Sequence, residues 1–182
     1  MDILDVLEAI KNRRSIRAFT EKNVSDKTVE TLIDAARHAP SAGNIQPWEF
    51  IIVRSQEQKR KLTEAALNQA LIQEAPVAIV VCANEAHSRM GYSNRGASLY
   101  CIQDTAAATQ NILLAAFSLG LGTCWIGAFH EKQVAEALSL PNEVRPVAII
   151  PVGYPAEKPQ IRSKRPLSQI THYESFGGQR SQ

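Results

Sequence analysis

Between Val77 and Ala83 the chain carries seven consecutive apolar residues, VAIVVCA. The run is far below the roughly twenty residues needed to cross a bilayer, and it lacks the polar alternation of a strand with one wet face. Val77 to Cys82 is therefore expected as a central strand buried on both faces. Other segments read as its neighbours. Glu49 to Val53, rich in aromatic and β-branched residues, predicts a strand, as do Thr123 to Ile126 and Val147 to Val152. Ile3, Leu7 and Ile10, with Leu4 and Val6, form a helical stripe ending at the basic cluster Asn12 to Arg17. A second helix is expected after Ser25 as N-cap, burying Val29, Leu32, Ile33 and Ala36 and stopping before Pro40. Ser55 opens another, with Gln58 as its capping-box partner. Gly96 to Leu119 predicts the longest helix and Glu131 to Leu138 a further one. Such alternation of helices and strands ordinarily suggests parallel βαβ units, although pattern alone does not fix strand direction.

A length of 182 residues suits one domain, with an extended polar and basic tail from about residue 154. The formal charge of +2 comes from 20 basic and 18 acidic residues, a balance that sets aside nucleic-acid and acidic-membrane partners. Cys82, Cys101 and Cys124 lack CxxC spacing and sit in apolar stretches, so they read as reduced core residues. The four histidines are scattered, and no metal site is expected. The start, MDILDVLEAIKNRR, has acidic residues where a signal peptide needs positive charge, which leads to an expected cytoplasmic location. Neither a GxGxxG after a strand nor a Walker glycine loop occurs, which removes two large nucleotide-binding classes.

Four segments could carry chemistry. Arg13-Arg14-Ser15-Ile16-Arg17 places three guanidiniums and a hydroxyl just beyond a helix, either as a phosphate clamp or as a solvated charge run at a helix C-terminus. The loop Pro40 to Trp48, PSAGNIQPW, offers two amides and a hydroxyl suited to the edge of a flat heterocycle, or is a plain turn. Trp125-Ile126-Gly127 follows a strand, where glycine permits close backbone approach to a ligand. Arg162-Ser163-Lys164-Arg165 could form a second phosphate clamp or keep the tail soluble. The segment Asn84 to Arg95 shows no clear periodicity. It either lines an open face, with Met90 and Tyr92 as substrate contacts, or is an exposed connection.

Taken together and in this order, RRSIRAF, APSAGNIQPWEFIIV, QDTAAATQNILLAA, GLGTCWIG and a basic tail ending in RPL resemble the small single-domain members of the FMN-dependent nitroreductase family, from Ile3 to about Tyr173. The resemblance implies an α+β fold, a three-layer α/β/α sandwich with a mixed central sheet, in an intertwined homodimer with FMN at the interface. It overrides the parallel sheet. By residue match, Arg13, Arg14, Ser15 and Arg17 are similar to the phosphate and flavin-edge contacts, and Pro40, Ser41, Asn44 and Gln46 to the loop contributed by the partner chain. Asn68 resembles a family asparagine on the pyrimidine side of the flavin. Ile126 and Gly127 match the place where backbone approaches flavin N5, where many larger members carry Glu-Gly. Arg162 and Lys164, or Arg165, match the tail's phosphate ligands. The implied activity is ping-pong hydride transfer from NADH or NADPH, through FMN, to a nitroaromatic, quinone or related small-molecule acceptor, with no catalytic side chain required. A flavin or enone reductase using the same site, or a non-catalytic FMN-binding module, would share these residues.

Overall fold

A computed structural model describes residues 5–180. The helices are α1 (Val6–Asn12), α2 (Asp26–Arg37), α3 (Gln56–Ala65), α4 (Leu71–Glu74), α5 (Glu85–Arg95), α6 (Cys101–Ser118) and α7 (Glu131–Leu138). The strands are β1 (Trp48–Val53), β2 (Val77–Asn84), β3 (Gly122–Thr123) and β4 (Val144–Gly153), in the order β1-β2-β4-β3. The apolar run is the second strand, and every residue from Val77 to Ala83 is buried. Its side chains part by the two-residue period of a strand. Val77, Ile79 and Val81 join a core with Val29 and Leu32 of α2 and Ile112 and Leu113 of α6. Ala78, Val80 and Cys82 join a second core with Leu62 of α3, Ile72 of α4 and Val134 of α7. The sheet therefore lies between two helical layers, as the resemblance implied. Ile3 and Leu4, expected on the first helical stripe, lie outside the described residues.

Neighbouring strands β1–β2, β2–β4 and β4–β3 all run antiparallel, correcting the direction that helix–strand alternation suggested. Periodicity reports which faces are buried and carries no sense of direction. The parallel pairing in the sheet is a bridge between Ser15 and Thr123. The expected strand Thr123–Ile126 is split: β3 ends at Thr123, and Ile126 pairs with Ile149 in the same register that joins Gly122 to Gly153 and Thr123 to Val152. That register sets Cys124 opposite Pro151, which has no N–H to donate, so the ladder breaks there.

The helix starts follow local chemistry. Ser25 Oγ accepts the Thr28 N–H at 3.2 Å and caps α2, and Ser55 Oγ accepts the Gln58 N–H at 3.4 Å at the head of α3. Gln58 does not close the capping box; its amide donates to the Ala137 carbonyl of α7. Asn84 to Arg95, expected to be irregular, is largely helical: Asn84 Oδ1 accepts the His87 N–H and caps α5. The helix breaks at Tyr92 and Ser93 and continues through a π turn, Gly96–Tyr100, into α6. Gly96 permits the fold-back, since a Cβ there would lie 2.2 Å from the Ser88 carbonyl oxygen.

Beyond β4, the Thr20 N–H donates to the Tyr154 carbonyl and the Ala156 N–H to that of Ala18. The tail then becomes exposed and holds one short 3₁₀ turn, Leu167–Gln169. Ile161, Leu167 and Phe176 on the tail, and Val6, Leu7 and Ile10 on α1, lie open in a single chain. Among the described residues no helix is long and apolar enough to cross a membrane.

Candidate functional site

Helix α1 ends where the Arg13 N–H donates to the Ala9 carbonyl, and the chain then runs alongside β3. The Ile16 N–H donates to the Thr123 carbonyl at 2.9 Å. Ile16 is buried against Gly122, where a Cβ would lie 2.7 Å from Ile16 Cγ1, so only glycine lets the two segments approach this closely. The backbone N–H groups of Arg17 and Ala18 both donate to Glu157 Oε1, the Ala18 bond at 3.2 Å.

The Cys124 thiol records what surrounds it. Burial pushes its pKa up, while the positive charge of Arg17, a hydrogen bond from Ser15 and the charge of Arg13 oppose that rise. Ser15 bridges Thr123 and the Ile16 N–H donates to the Thr123 carbonyl, so the Arg13–Arg17 segment runs beside the one leading to Ile126 and Gly127. Arg13 Nε is buried and has no hydrogen-bond partner among the described residues. A buried guanidinium donor left without an acceptor is costly, and the natural acceptor for such a fork is a phosphate or another anion. Arg14 is partly committed elsewhere: its Nη1 donates to the Lys11 and Arg13 carbonyls at 2.7 and 2.8 Å, closing the end of α1.

Ile126 exchanges both its backbone groups with Ile149, each bond 3.0 Å. Gly127 follows on the surface, its N–H without a partner among the described residues. A Cβ at Gly127 would meet only Trp125 Nε1, at 3.9 Å, so the space in front of this glycine is open. Asn68 comes to the same region. Leu67 and Asn68 both adopt left-handed backbone, with φ of 57° and 59°, as the chain leaves α3. The next side chain, Gln69, donates its amide to the Ala66 and Ala128 carbonyls, each at 2.9 Å, and so ties this turn to the residue after Gly127.

The loop after α2 lies elsewhere. Ser41 Oγ accepts the Gln46 N–H at 3.0 Å, and Gly43, Asn44 and Gln46 all take positive φ. The Ala42 N–H donates to Asp104 Oδ1 at 3.1 Å, in the first turn of α6. Burial raises the Asp104 pKa, and the Ala42 N–H opposes the rise. Phe117, by contrast, stands near the far end of α6, where with Gly120, Asn12, Arg13 and Arg14 it lines a cavity of about 350 Å³. Asp104 and Phe117 are 13 residues apart, roughly 20 Å along a helix that rises about 1.5 Å per residue.

One chain therefore lays Arg13, Ser15 and Arg17 along the segment that leads to Ile126 and Gly127, has Asn68 in the turn tied to Ala128, and holds the loop of Pro40, Ser41, Asn44 and Gln46 at the other end of α6 from Arg13. Ile161 lines the Arg13–Arg14 cavity, so Arg162 follows a residue of that site. Lys164 and Arg165 lie further along the exposed tail, where Arg165 Nη2 donates to the Gln169 carbonyl at 2.9 Å. Sequence reasoning passed over Gln69, Glu157 and Lys158, the last of which also lines the cavity. The only local signal for Gln69 is its place beside Asn68. The other two gain meaning only once the tail is folded against residues 17–18.

Comparison with known proteins gives a consistent picture. A model described as the nitroreductase family matches residues 10–73 and 65–154. A Methanothermobacter thermautotrophicus protein provisionally named an NADH dehydrogenase/NAD(P)H nitroreductase is 41% identical over 163 residues, spanning 87% of this chain and 82% of its own. An FMN reductase [NAD(P)H] of Bacillus subtilis is 31% identical, over 94% of this chain and 74% of its own. The crystal structure of a nitroreductase family protein from Streptococcus pneumoniae superposes with a TM-score of 0.85 at 29% identity, covering 93% of this chain and all of that one.

Proposed function

The chain belongs to the nitroreductase family and is an NAD(P)H-dependent flavin oxidoreductase; we propose that it holds FMN against its own Arg13, Ser15, Arg17 and Gly127 and completes the site with the Pro40–Gln46 loop of a second copy. The carrying observation is the pairing of the Arg13–Arg17 segment with the chain at Thr123, just before Ile126 and Gly127, with Arg13 Nε buried and without an acceptor among the described residues. The residues fit the cofactor: guanidiniums for its anionic groups, an open glycine with a free N–H for the ring, and amides for its edge.

When bound, FMN would supply the redox chemistry, hydride transfer between NADH or NADPH and a nitroaromatic, quinone or related acceptor. The chain's part is electrostatic and positional. Arg13 and Arg17 oppose the negative charge that accumulates on a reduced flavin. The Gly127 N–H would donate to the ring, and the missing side chain leaves space for it. Asn68, in the turn that Gln69 ties to the Ala128 carbonyl, would meet the same part of the cofactor. Arg14, Arg162, Lys164 and Arg165 add positive charge around the cofactor's phosphate. The cysteines take no part as nucleophiles, since burial and the Glu49 charge push Cys82 up to about 12 and burial raises Cys101 and Cys124.

The amide loop is tied to Asp104 and Arg13 shares a cavity with Phe117, contacts separated by roughly 20 Å of helix α6, and this separation supports a homodimer in which the loop meets the cofactor of a second copy. The exposed apolar residues on α1 and the tail supply surface for such an interface. Three buried, unpaired cysteines suit a reducing compartment, and we assign the protein to the cytoplasm. The function is tested by the visible spectrum of the purified protein under anaerobic addition of NADH and then NADPH. A flavin band that bleaches with either is expected. A colourless protein that takes up no added FMN would overturn the reading, and bound FMN that neither nicotinamide reduces would overturn the enzymatic part of it.

A further inference from the structure

We propose that Asp104 is a positioning residue for the cofactor site, holding the Ser41–Gln46 loop in the pose in which it meets the flavin of a second copy; this rests on the functional reading above. The loop's shape is set internally by the Ser41 Oγ bond to the Gln46 N–H and by the Asn44 and Ile45 N–H bonds to the Ser41 and Ala42 carbonyls. Its placement is set elsewhere. At one end the Asn84 N–H donates to the Pro47 carbonyl at 2.6 Å, and within the loop the bond from the Ala42 N–H to Asp104 Oδ1 joins it to the long helix.

Asp104 is only 7% exposed, and its second oxygen, Oδ2, has no partner among the described residues. A buried carboxylate with one oxygen unpaired lowers stability, so its presence as the one charged residue of α6 calls for a compensating role. The Ala42 bond supplies one. It fixes the turn in which Gly43, Asn44 and Gln46 adopt left-handed backbone and so directs both amides. Tyr92 closes the other side: a Cβ at Gly43 would lie 2.8 Å from its hydroxyl oxygen. The loop is thus held between a carboxylate from α6 and a ring from α5.

FMN affinity of the holoprotein, with thermal melting as a fold control, distinguishes positioning from bulk stability. Asp104→Leu removes the acceptor and is expected to weaken FMN binding about tenfold to a hundredfold, the effect of losing one hydrogen bond to a charged group. Asp104→Asn keeps an oxygen for the Ala42 N–H and is expected to bind within about threefold of wild type. Ala42→Pro removes the same bond from the loop side and should match Asp104→Leu. Proline is compatible there, because Ser41 is already extended (ψ 153°) and Ala42 opens a helical turn. Ala42→Pro decides the matter if Asp104→Leu fails to fold. Wild-type affinity in Asp104→Leu or in Ala42→Pro, or a loss in Asp104→Asn equal to that in Asp104→Leu, would overturn the proposal while leaving the FMN assignment intact. A wild-type protein that binds no FMN would overturn the functional reading itself.

Discussion

With Arg13→Ala and Arg17→Ala combined, the protein is expected to fold normally and purify without colour, its FMN affinity down by about a thousandfold. Each guanidinium removed takes away a hydrogen bond to an anionic group, worth about 1.5–3 kcal/mol apiece. The fold does not use these side chains as partners. Arg13 Nε donates to nothing among the described residues, and the bonds that seat this segment come from the backbone of Ile16, Arg17 and Ala18. The melting temperature should therefore match that of wild-type protein stripped of FMN, since bound cofactor itself stabilises the fold, while bound flavin disappears. Stoichiometric FMN in the purified double variant would contradict the assignment of this cluster.

Gly127→Leu separates cofactor space from structural space even more sharply. Nothing but Trp125 Nε1, at 3.9 Å, lies near the position of the new Cβ, and Gly127 is not among the residues with positive φ. A side chain there should be tolerated by the fold, with stability changing by less than about 0.5 kcal/mol as at an ordinary surface site. It would occupy the space in which the flavin ring must approach the backbone. The expected result is a melt equal to that of FMN-free wild type, with FMN binding lost or reduced by at least about a hundredfold. Normal flavin content in this variant would show that the ring does not lie against Gly127.

Much of the architecture could be read locally, and where it could not, the cause was a contact distant in sequence. VAIVVCA announced a strand buried on both faces because seven apolar residues leave no wet side, and β2 is buried throughout. Ser25 before Val29 and Leu32 marked α2 because cap and stripe both lie within its own turns. Strand direction was invisible, since a buried strand shows the same pattern in either sense. The break after Thr123 comes from Pro151, which stands opposite Cys124 only once β4 is paired. Helix α5 lacked a clean apolar period, and its start depends on the Asn84 cap and its end on Gly96 folding back against Ser88.

The site divides in the same way. Arg13, Ser15 and Arg17 sit within five residues, so their shared chemistry is visible in the sequence, and the chain lays this segment beside Thr123, which Ser15 bridges. Gln69 acquires its role through the Ala128 carbonyl, and Asp104 through the Ala42 N–H, contacts that span 59 and 62 residues. Arg14 shows the opposite case: a residue of the right type in the right motif, with one arm turned to the carbonyls that end α1.

The claim that one cofactor site draws on two copies is tested most directly in mixed dimers. One chain carries Arg13→Ala and Arg17→Ala and keeps its loop. The other carries Asn44→Gly and Gln46→Gly, which delete both amides at positions whose positive φ glycine accepts without strain, and keeps its cluster. Each variant alone should lack tightly bound FMN. Purified through separate tags, the mixed dimer has one site with an intact cluster from the second chain and an intact loop from the first. It is expected to hold one FMN per dimer; a mixed dimer without FMN would contradict the shared site.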